Sequence, residues 1–455
     1  MRFEVDYVIE TPLDPRRAAE AMAGEQSSGT FIAIPGETPE LRERAAARIE
    51  ALQELDPRAA PSLPGGEGDL GQGFRRARVT LSWPMDNIGP SLPNLMATVA
   101  GNLFELRQFS GLRIVDIRLP AAFAAAGPGP RFGVAGTRRL SGVTEGPLIG
   151  TIVKPSVGLS PEDTAALCAT LAAAGIDFIK DDELQVDGPA CRFENRARAV
   201  MGVLNDHAGR TGKKVMFAFN LTGEVDEMRR RHDLIRDLGG TCVMVSLNSV
   251  GMAGFLALTR HAELPIHAHR NGWGYLSRAP ALGWSYPAWS RLWRIAGADH
   301  MHVNGLANKF CESDDTVIAA AQAQLAPTWD DHPCIAMPVF SSAQTVLQPP
   351  ETFRRLGSAD LIYAAGGGLM GHPDGPADGV RALREAWVAA MAGTDLDAHA
   401  RAYPPLARAL SQARGHMRGQ IGGQIGGQIG GQTGTQTGSQ TGSQTEEQTR
   451  GQTGP

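Results

Sequence analysis

The stretch GIDFIKDDEL (175–184) is an apolar run that ends in four ionisable groups. Ile176, Phe178 and Ile179 read as the filling of a buried strand, and Lys180, Asp181, Asp182 and Glu183 stand at its end. Charges at the end of a buried strand need partners or a ligand, because an unpaired buried charge is costly. The same rhythm recurs outward from this run. PLIGTIVKP (147–155) precedes it; KVMFAFNLTG (214–223), TCVMVSLNSVG (241–251), LPIHAHRN (264–271), DHMHVNG (299–305), PCIAMPVFSS (333–342) and DLIYAAGGG (360–368) follow. Helical stretches separate most of them. In SPEDTAALCATLAAAG (160–175), Ser160 is placed to cap, Pro161 to open the first turn and Gly175 to stop the helix. A second such stretch is EVDEMRRRHDLIRDLG (224–239). Eight strand–helix units over roughly 250 residues predict a (β/α)8 barrel, whose buried parallel strands read as near-continuous apolar runs. An open doubly wound sheet is the competing architecture, but no G-x-G-x-x-G follows any strand.

Ahead of the barrel, RFEVDYVIE (2–10) and FRRARVTLSWP (74–84) predict strands, in a domain that ends near LRIVDIRLP (112–120). DPRRAAEAMAGE (14–25) and ETPELRERAAARIEALQEL (37–55) predict helices, which together give a small α+β domain of ferredoxin-like type. The expected division is 1–135 for this domain and 136–417 for the barrel. Residues 418–455 are a Gly/Gln/Thr repeat too poor in apolar surface to offset its ordering entropy, and are expected to be disordered.

With 455 residues, 42% hydrophobic and 20% charged, the chain belongs among globular proteins of more than one domain. A net charge of −5 offers no footprint for nucleic acid, and no apolar run is long enough for a membrane span. Five cysteines without C-x-x-C spacing fit reduced thiols and a cytoplasmic setting.

Chemistry in such a barrel gathers at the C-terminal strand ends, and six of these ends are polar here. They carry Lys154; Lys180 with Asp182 and Glu183; His267, His269 and Arg270; His300 and His302; Ser341 and Ser342; and Gly366 to Gly368. A lone histidine or a surface Lys–Asp pair is normally unremarkable, but this string ends a buried strand. Carboxylates without a sulfur ligand suit a hard cation such as Mg²⁺. A protonated lysine would be repelled by that ion. A neutral lysine, favoured by burial, can add CO2 and become an anionic carbamate ligand.

GTIVKP (150–155), GIDFIKDDE (175–183), HAHR (267–270), GADHMHVNG (297–305) and GGGLMGHPDG (366–375) together resemble the large subunit of ribulose bisphosphate carboxylase (RuBisCO). GEQSSGTF (24–31) and VAGNLFELRQFSGLRIVDIRLP (99–120) extend the resemblance to the N-terminal domain. It implies that Lys180 is carbamylated and holds Mg²⁺ with Asp182 and Glu183. It further implies that Lys154 moves protons at an enediolate, that His269 stands by the reacting carbon, and that Lys309 faces a CO2-derived carboxylate. Arg270, His302 and Ser341 match one phosphate pocket; Gly366, Gly367 and Thr30 match the other. Glu25 and Asn102, with Thr30, match residues given by a partner subunit, so a homodimer with its active site at the interface is implied.

Departures from the pattern point away from carboxylation of ribulose bisphosphate. Ser156 replaces the second lysine of KPK, HRAMH is HRNGW with Trp273, HSGT is HVNG (302–305), and the SGG turn is Ser341, Ser342, Ala343. Phe31 stands for a tryptophan. Each lost charged hydrogen bond weakens a bisphosphate by roughly 1.5–3 kcal/mol. The chain is therefore expected among the RuBisCO-like proteins, acting through an enediolate on a small phosphorylated substrate. Retention of Lys309 and Glu25 favours decarboxylation or carboxyl transfer of a 3-oxo sugar acid phosphate, of the 3-oxoisoapionate 4-phosphate type. The alternatives are a ketose isomerase or a methionine-salvage enolase, whose relatives carry a lysine at Asn102; residual ribulose bisphosphate carboxylation; and a non-catalytic scaffold.

Overall fold

The computed structural model describes residues 1–29, 34–67 and 73–429, with side chains through residue 416. Thr30, expected at a phosphate, lies outside the described residues.

The N-terminal domain runs β1 (Arg2–Thr11), α1 (Pro15–Glu25), α2 (Pro39–Ala45), β2 (Arg48–Arg58), β3 (Phe74–Pro84), α3 (Leu92–Val99) and β4 (Gly111–Arg118). Its strands pair antiparallel in the order β4-β1-β3-β2, the predicted ferredoxin-like arrangement. Alternation along β1 buries Phe3, Val5, Tyr7 and Ile9 completely against the helices. Asp14 caps α1 by accepting from the Arg16 and Arg17 N–H groups, with Pro15 at the first turn.

One expectation fails here. The helix predicted over 37–55 ends at Ala45, and residues 48–58 form the edge strand β2. The Ala/Glu/Arg/Leu content favours helix only weakly per residue. Pairing of β2 along β3, and packing of Ile49 and Leu52 on the core, outweigh it. Two register shifts accommodate residues that do not alternate cleanly.

After α4 (Gly133–Ser141) comes the barrel: β5 (Leu148–Ile152), α5 (Pro161–Ala173), β6 (Phe178–Lys180), α6 (Phe193–Thr211), β7 (Met216–Asn220), α7 (Val225–Asp237), β8 (Cys242–Ser246), α8 (Leu247–His261), β9 (Ile266–His269), α9 (Trp273–Ser277), β10 (Leu282–Trp284), α10 (Tyr286–Ala296), β11 (His300–Asn304), α11 (Asp314–Leu325), β12 (Met337–Phe340), α12 (Pro349–Leu356), β13 (Ile362–Ala364), α13 (Gly367–Met370) and α14 (Pro376–Ala392). Eight of these strands close in parallel, β11-β12-β13-β5-β6-β7-β8-β9, and each lies on one of the eight predicted runs. The remaining strand, β10, leaves the barrel and adds parallel to β4 of the N-terminal sheet. Three residues without a distinctive pattern gave no sign of it in the sequence.

α15 (Leu396–Ala400) and α16 (Pro404–Ile429) end the described chain. The backbone of α16 runs into the Gly/Gln repeat as far as Ile429. Residues 430–455 lie outside the described residues. No helix among the described residues is long and apolar enough to cross a membrane.

Candidate active site

Strand alternation sorts the chain at 178–183. Phe178 packs with Leu148, Met216, Met244 and Ile362 inside the barrel, and Ile179 faces outward into the helix layer. Lys180 then points inward again at the mouth, with 1% of its surface exposed. Asp181 faces outward and takes a bidentate grip from Arg196 of α6, at 3.2 and 3.1 Å, besides the Asn220 N–H at 3.0 Å. Asp182 returns to the inward side. The three acids therefore divide: Asp181 holds strand to helix, and Asp182 and Glu183 belong to the mouth.

That mouth is a cavity of about 870 Å³. Lys154, Lys180, Asp182, Glu183, His269, Arg270, His302, Lys309, Ser341, Gly366 and Gly367 all line it. Of the remaining predicted residues, Glu25 ends α1 and Asn102 follows α3; both are exposed on the N-terminal domain and neither lines the cavity.

Lys154 Nζ donates to Asp182 Oδ2 at 2.6 Å and to Ser156 Oγ at 2.8 Å, so the serine that replaces a lysine of the related pattern acts as an acceptor for Lys154. Lys180 Nζ donates to the Asp181 carbonyl at 2.7 Å and lies 3.6 Å from Glu183 Oε2. His269 Nε2 is 3.4 Å from the same Glu183 oxygen. His269 Nδ1 lies 3.2 Å from both the Asn271 backbone N–H and the Asn271 side-chain Oδ1, so Asn271 orients the ring with Nε2 toward Glu183.

Burial pulls the Lys180 amine below the ordinary lysine range, although Glu183 and Asp182 oppose it. Burial pushes the Asp182 carboxyl up, but hydrogen bonds from Lys154 and the Leu184 N–H outweigh it and hold it low. Glu183 also stays ionised, with His269 and Lys180 outweighing its burial. His269 is drawn down to about 4, chiefly by burial and then by Lys180. Below it, His302 pairs with His267 (Nε2 to Nε2, 2.7 Å) and with Ser341 Oγ (2.9 Å), and burial keeps both imidazoles neutral.

The donor set fits a hard divalent cation. Two ionised carboxylates line the same cavity as an amine that burial moves toward the neutral, CO2-accepting form. Carbamylation would exchange the Lys180 cation for a third anionic oxygen ligand. Carbamate formation consumes neutral amine and releases a proton. CO2-dependent Mg²⁺ binding is therefore expected to strengthen as pH rises from about 7 to about 9, below the ordinary lysine pKa of roughly 10.4. Calorimetric titration of Mg²⁺ at fixed dissolved CO2 measures this; affinity that weakens over that interval would contradict it.

Two features of the cavity were not identified from the sequence. Glu312, three residues past Lys309, accepts from both Arg270 amino groups, from Trp273 Nε1 at 2.8 Å and from Asn304 Nδ2. Its pattern signals only a loop acid. The second is the backbone: Asn304, Ser342 and Ala343 have φ of 67°, 69° and 64°, the left-handed region. The related pattern places glycines at or beside these positions. Here the turns are kept at the cost of strain, least for Asn304, whose side-chain type tolerates that region.

The comparisons with known proteins agree with this geometry. The N-terminal and catalytic domains of the ribulose bisphosphate carboxylase large chain match residues 5–123 and 133–413. A 3-oxo-isoapionate-4-phosphate transcarboxylase/hydrolase of Xanthobacter autotrophicus is 59% identical over 409 residues, 90% of this chain and 98% of that one. A 3-oxo-isoapionate-4-phosphate decarboxylase of Rhizobium rhizogenes is 42% identical over 417 residues, 90% of this chain and 98% of that one. The crystal structure of a rubisco-like protein from Burkholderia fungorum superposes with a TM-score of 0.84 at 46% identity, covering 90% of this chain and 99% of that one. Two matched domains in the order and arrangement of the fold, with these relatives along nearly its whole length, make the chain a RuBisCO-like member of the ribulose bisphosphate carboxylase large-chain family.

Proposed function

We propose that the protein is a decarboxylase-type enzyme that cleaves the bond to the carboxyl carbon of 3-oxo-isoapionate 4-phosphate or a near analogue, with carboxyl transfer and hydrolysis favoured over free CO2 release. The observation that carries this reading is the single cavity lined by Lys154, Lys180, Asp182, Glu183, His269 and Lys309. The 59% identity to a transcarboxylase/hydrolase, against 42% to a decarboxylase, supports the choice between the two outcomes.

Lys180 as its carbamate, Asp182 and Glu183 are the groups to hold Mg²⁺, which when bound supplies Lewis-acid stabilisation of negative charge on vicinal substrate oxygens. Lys309, exposed at the cavity edge, offers an ammonium to the substrate carboxylate. Breaking the C–C bond releases the carboxyl as CO2 and leaves its electron pair in an enediolate. For carboxyl transfer the other enediolate carbon adds that CO2, and water then adds to the neighbouring carbonyl and cleaves the new C–C bond. Lys154 Nζ is the acid proposed to protonate the carbanion that leaves. His269, neutral near pH 7, presents Nε2 to the cavity and in its Nε2–H tautomer donates to a developing oxyanion without adding charge. The Gly366–Gly367 turn is the proposed seat of the phosphate. Glu25 and Asn102, exposed and outside the lining of this chain's own cavity, are proposed to complete that of a second copy, together with Thr30. A cytoplasmic setting is supported by five free cysteines, of which Cys311 is exposed.

The test uses substrate labelled with carbon-13 at the carboxyl. Carbon-13 NMR is expected to show the label in a product carboxylate, with little appearing as bicarbonate. Release as CO2 would assign the chain the simple decarboxylation instead. Proton exchange with solvent and no bond cleavage would reject both in favour of an isomerase or enolase.

A further inference from the structure

Arg270 is a cation placed to take an anion on the β9 side of the cavity, three strands round the barrel from β13 and the Gly366–Gly367 turn, yet the chain itself uses it. Its guanidinium is 6% exposed and packs over the Tyr286 ring at 4.6 Å. Both amino groups donate to Glu312, one oxygen each. Glu312 is held in turn by Trp273 Nε1 and by Asn304 Nδ2. The donors come from three separate points in the chain: the end of β9, the start of α9 and the end of β11. A carboxylate with four such contacts is saturated, and a phosphate arriving there would have to displace it and leave it unpaired beside a second anion.

We propose that Glu312 is a built-in counter-ion that sets specificity by closing this side of the cavity to anions. The substrate then carries one phosphate, at the glycine turn, and presents an uncharged, hydroxyl-bearing end to Glu312 and Trp273. This rests on the phosphate seat assigned above and adds what lies on the β9 side of the cavity. The residue acts on recognition, not on the reacting atoms.

The test compares pentyl phosphate with pentane-1,5-diol bisphosphate by calorimetry, on the Mg²⁺- and bicarbonate-loaded enzyme. Wild type is expected to bind the two within about threefold, little more than the statistical factor. Glu312→Gln and Glu312→Gly are expected to prefer the bisphosphate by on the order of tenfold to a hundredfold, the worth of a charged hydrogen bond or two. A wild-type preference of tenfold or more overturns the proposal without any variant. Variants that bind Mg²⁺ as wild type does but gain no preference overturn it as well. The readout is binding, so it holds whichever reaction is catalysed. Failure of wild type to bind the monophosphate at all would instead reject the phosphate seat, and this inference with it.

Discussion

Replacing Lys180 by alanine is expected to lower turnover of the 3-oxo acid phosphate by on the order of a thousandfold or more, the scale of losing a metal-borne Lewis acid. Lys180 sits at the inward end of β6, 1% exposed, between the carbonyl of Asp181 and the carboxylate of Glu183. No neighbouring side chain can replace it as a CO2 acceptor: Lys154 is committed to Asp182 and Ser156. Lys180→Arg sharpens the experiment. Arginine keeps a cation in the buried position, satisfies the two acids and preserves the fold, but cannot form a carbamate. It should be as inactive as the alanine variant while unfolding near the wild-type midpoint. Substantial activity in Lys180→Arg would show that the lysine serves as a counter-charge only.

The largest stability effect is expected at Arg196→Ala, about 3–5 kcal/mol by urea denaturation, the cost of removing one partner of a buried ion pair. Arg196 and Asp181 have side chains 1% exposed. Besides both Asp181 oxygens, Arg196 donates to the carbonyls of Cys191 and Val186, so it also pins the loop after β6. Its loss leaves Asp181 buried with only the Asn220 N–H. Because Asp182 and Glu183 follow Asp181 directly, weaker Mg²⁺ binding should accompany the loss of stability. A change under about 1 kcal/mol would place this pair among ordinary surface pairs.

How much of this could be read in advance depended on the physics of each element. All eight barrel strands were legible because a parallel strand covered on both faces must be apolar throughout, and because polar residues end six of them. The edge strand β2 was not legible, since its composition favours helix locally and only pairing with β3, some twenty residues on, decides it. Nor was β10, whose three residues acquire meaning from a partner strand in the other domain. The partner of Asp181 was not legible, since Arg196 is a buried cation on an otherwise ordinary helix. Glu312 escaped because loop geometry, which has no periodic signature, brings it onto Arg270. Glu25 and Asn102 are where a single chain says least: their proposed role belongs to a second copy.

Lys180, as a CO2 adduct, is proposed to complete a hard-metal site with Asp182 and Glu183. The most direct measurement of that adduct is carbon-13 NMR of the enzyme equilibrated with labelled bicarbonate, with and without Mg²⁺. A carbamate resonance that strengthens with Mg²⁺ in the wild type and is missing from Lys180→Ala is the predicted result. A fully active wild-type enzyme that shows no such resonance, or a resonance that survives in Lys180→Ala, would contradict it.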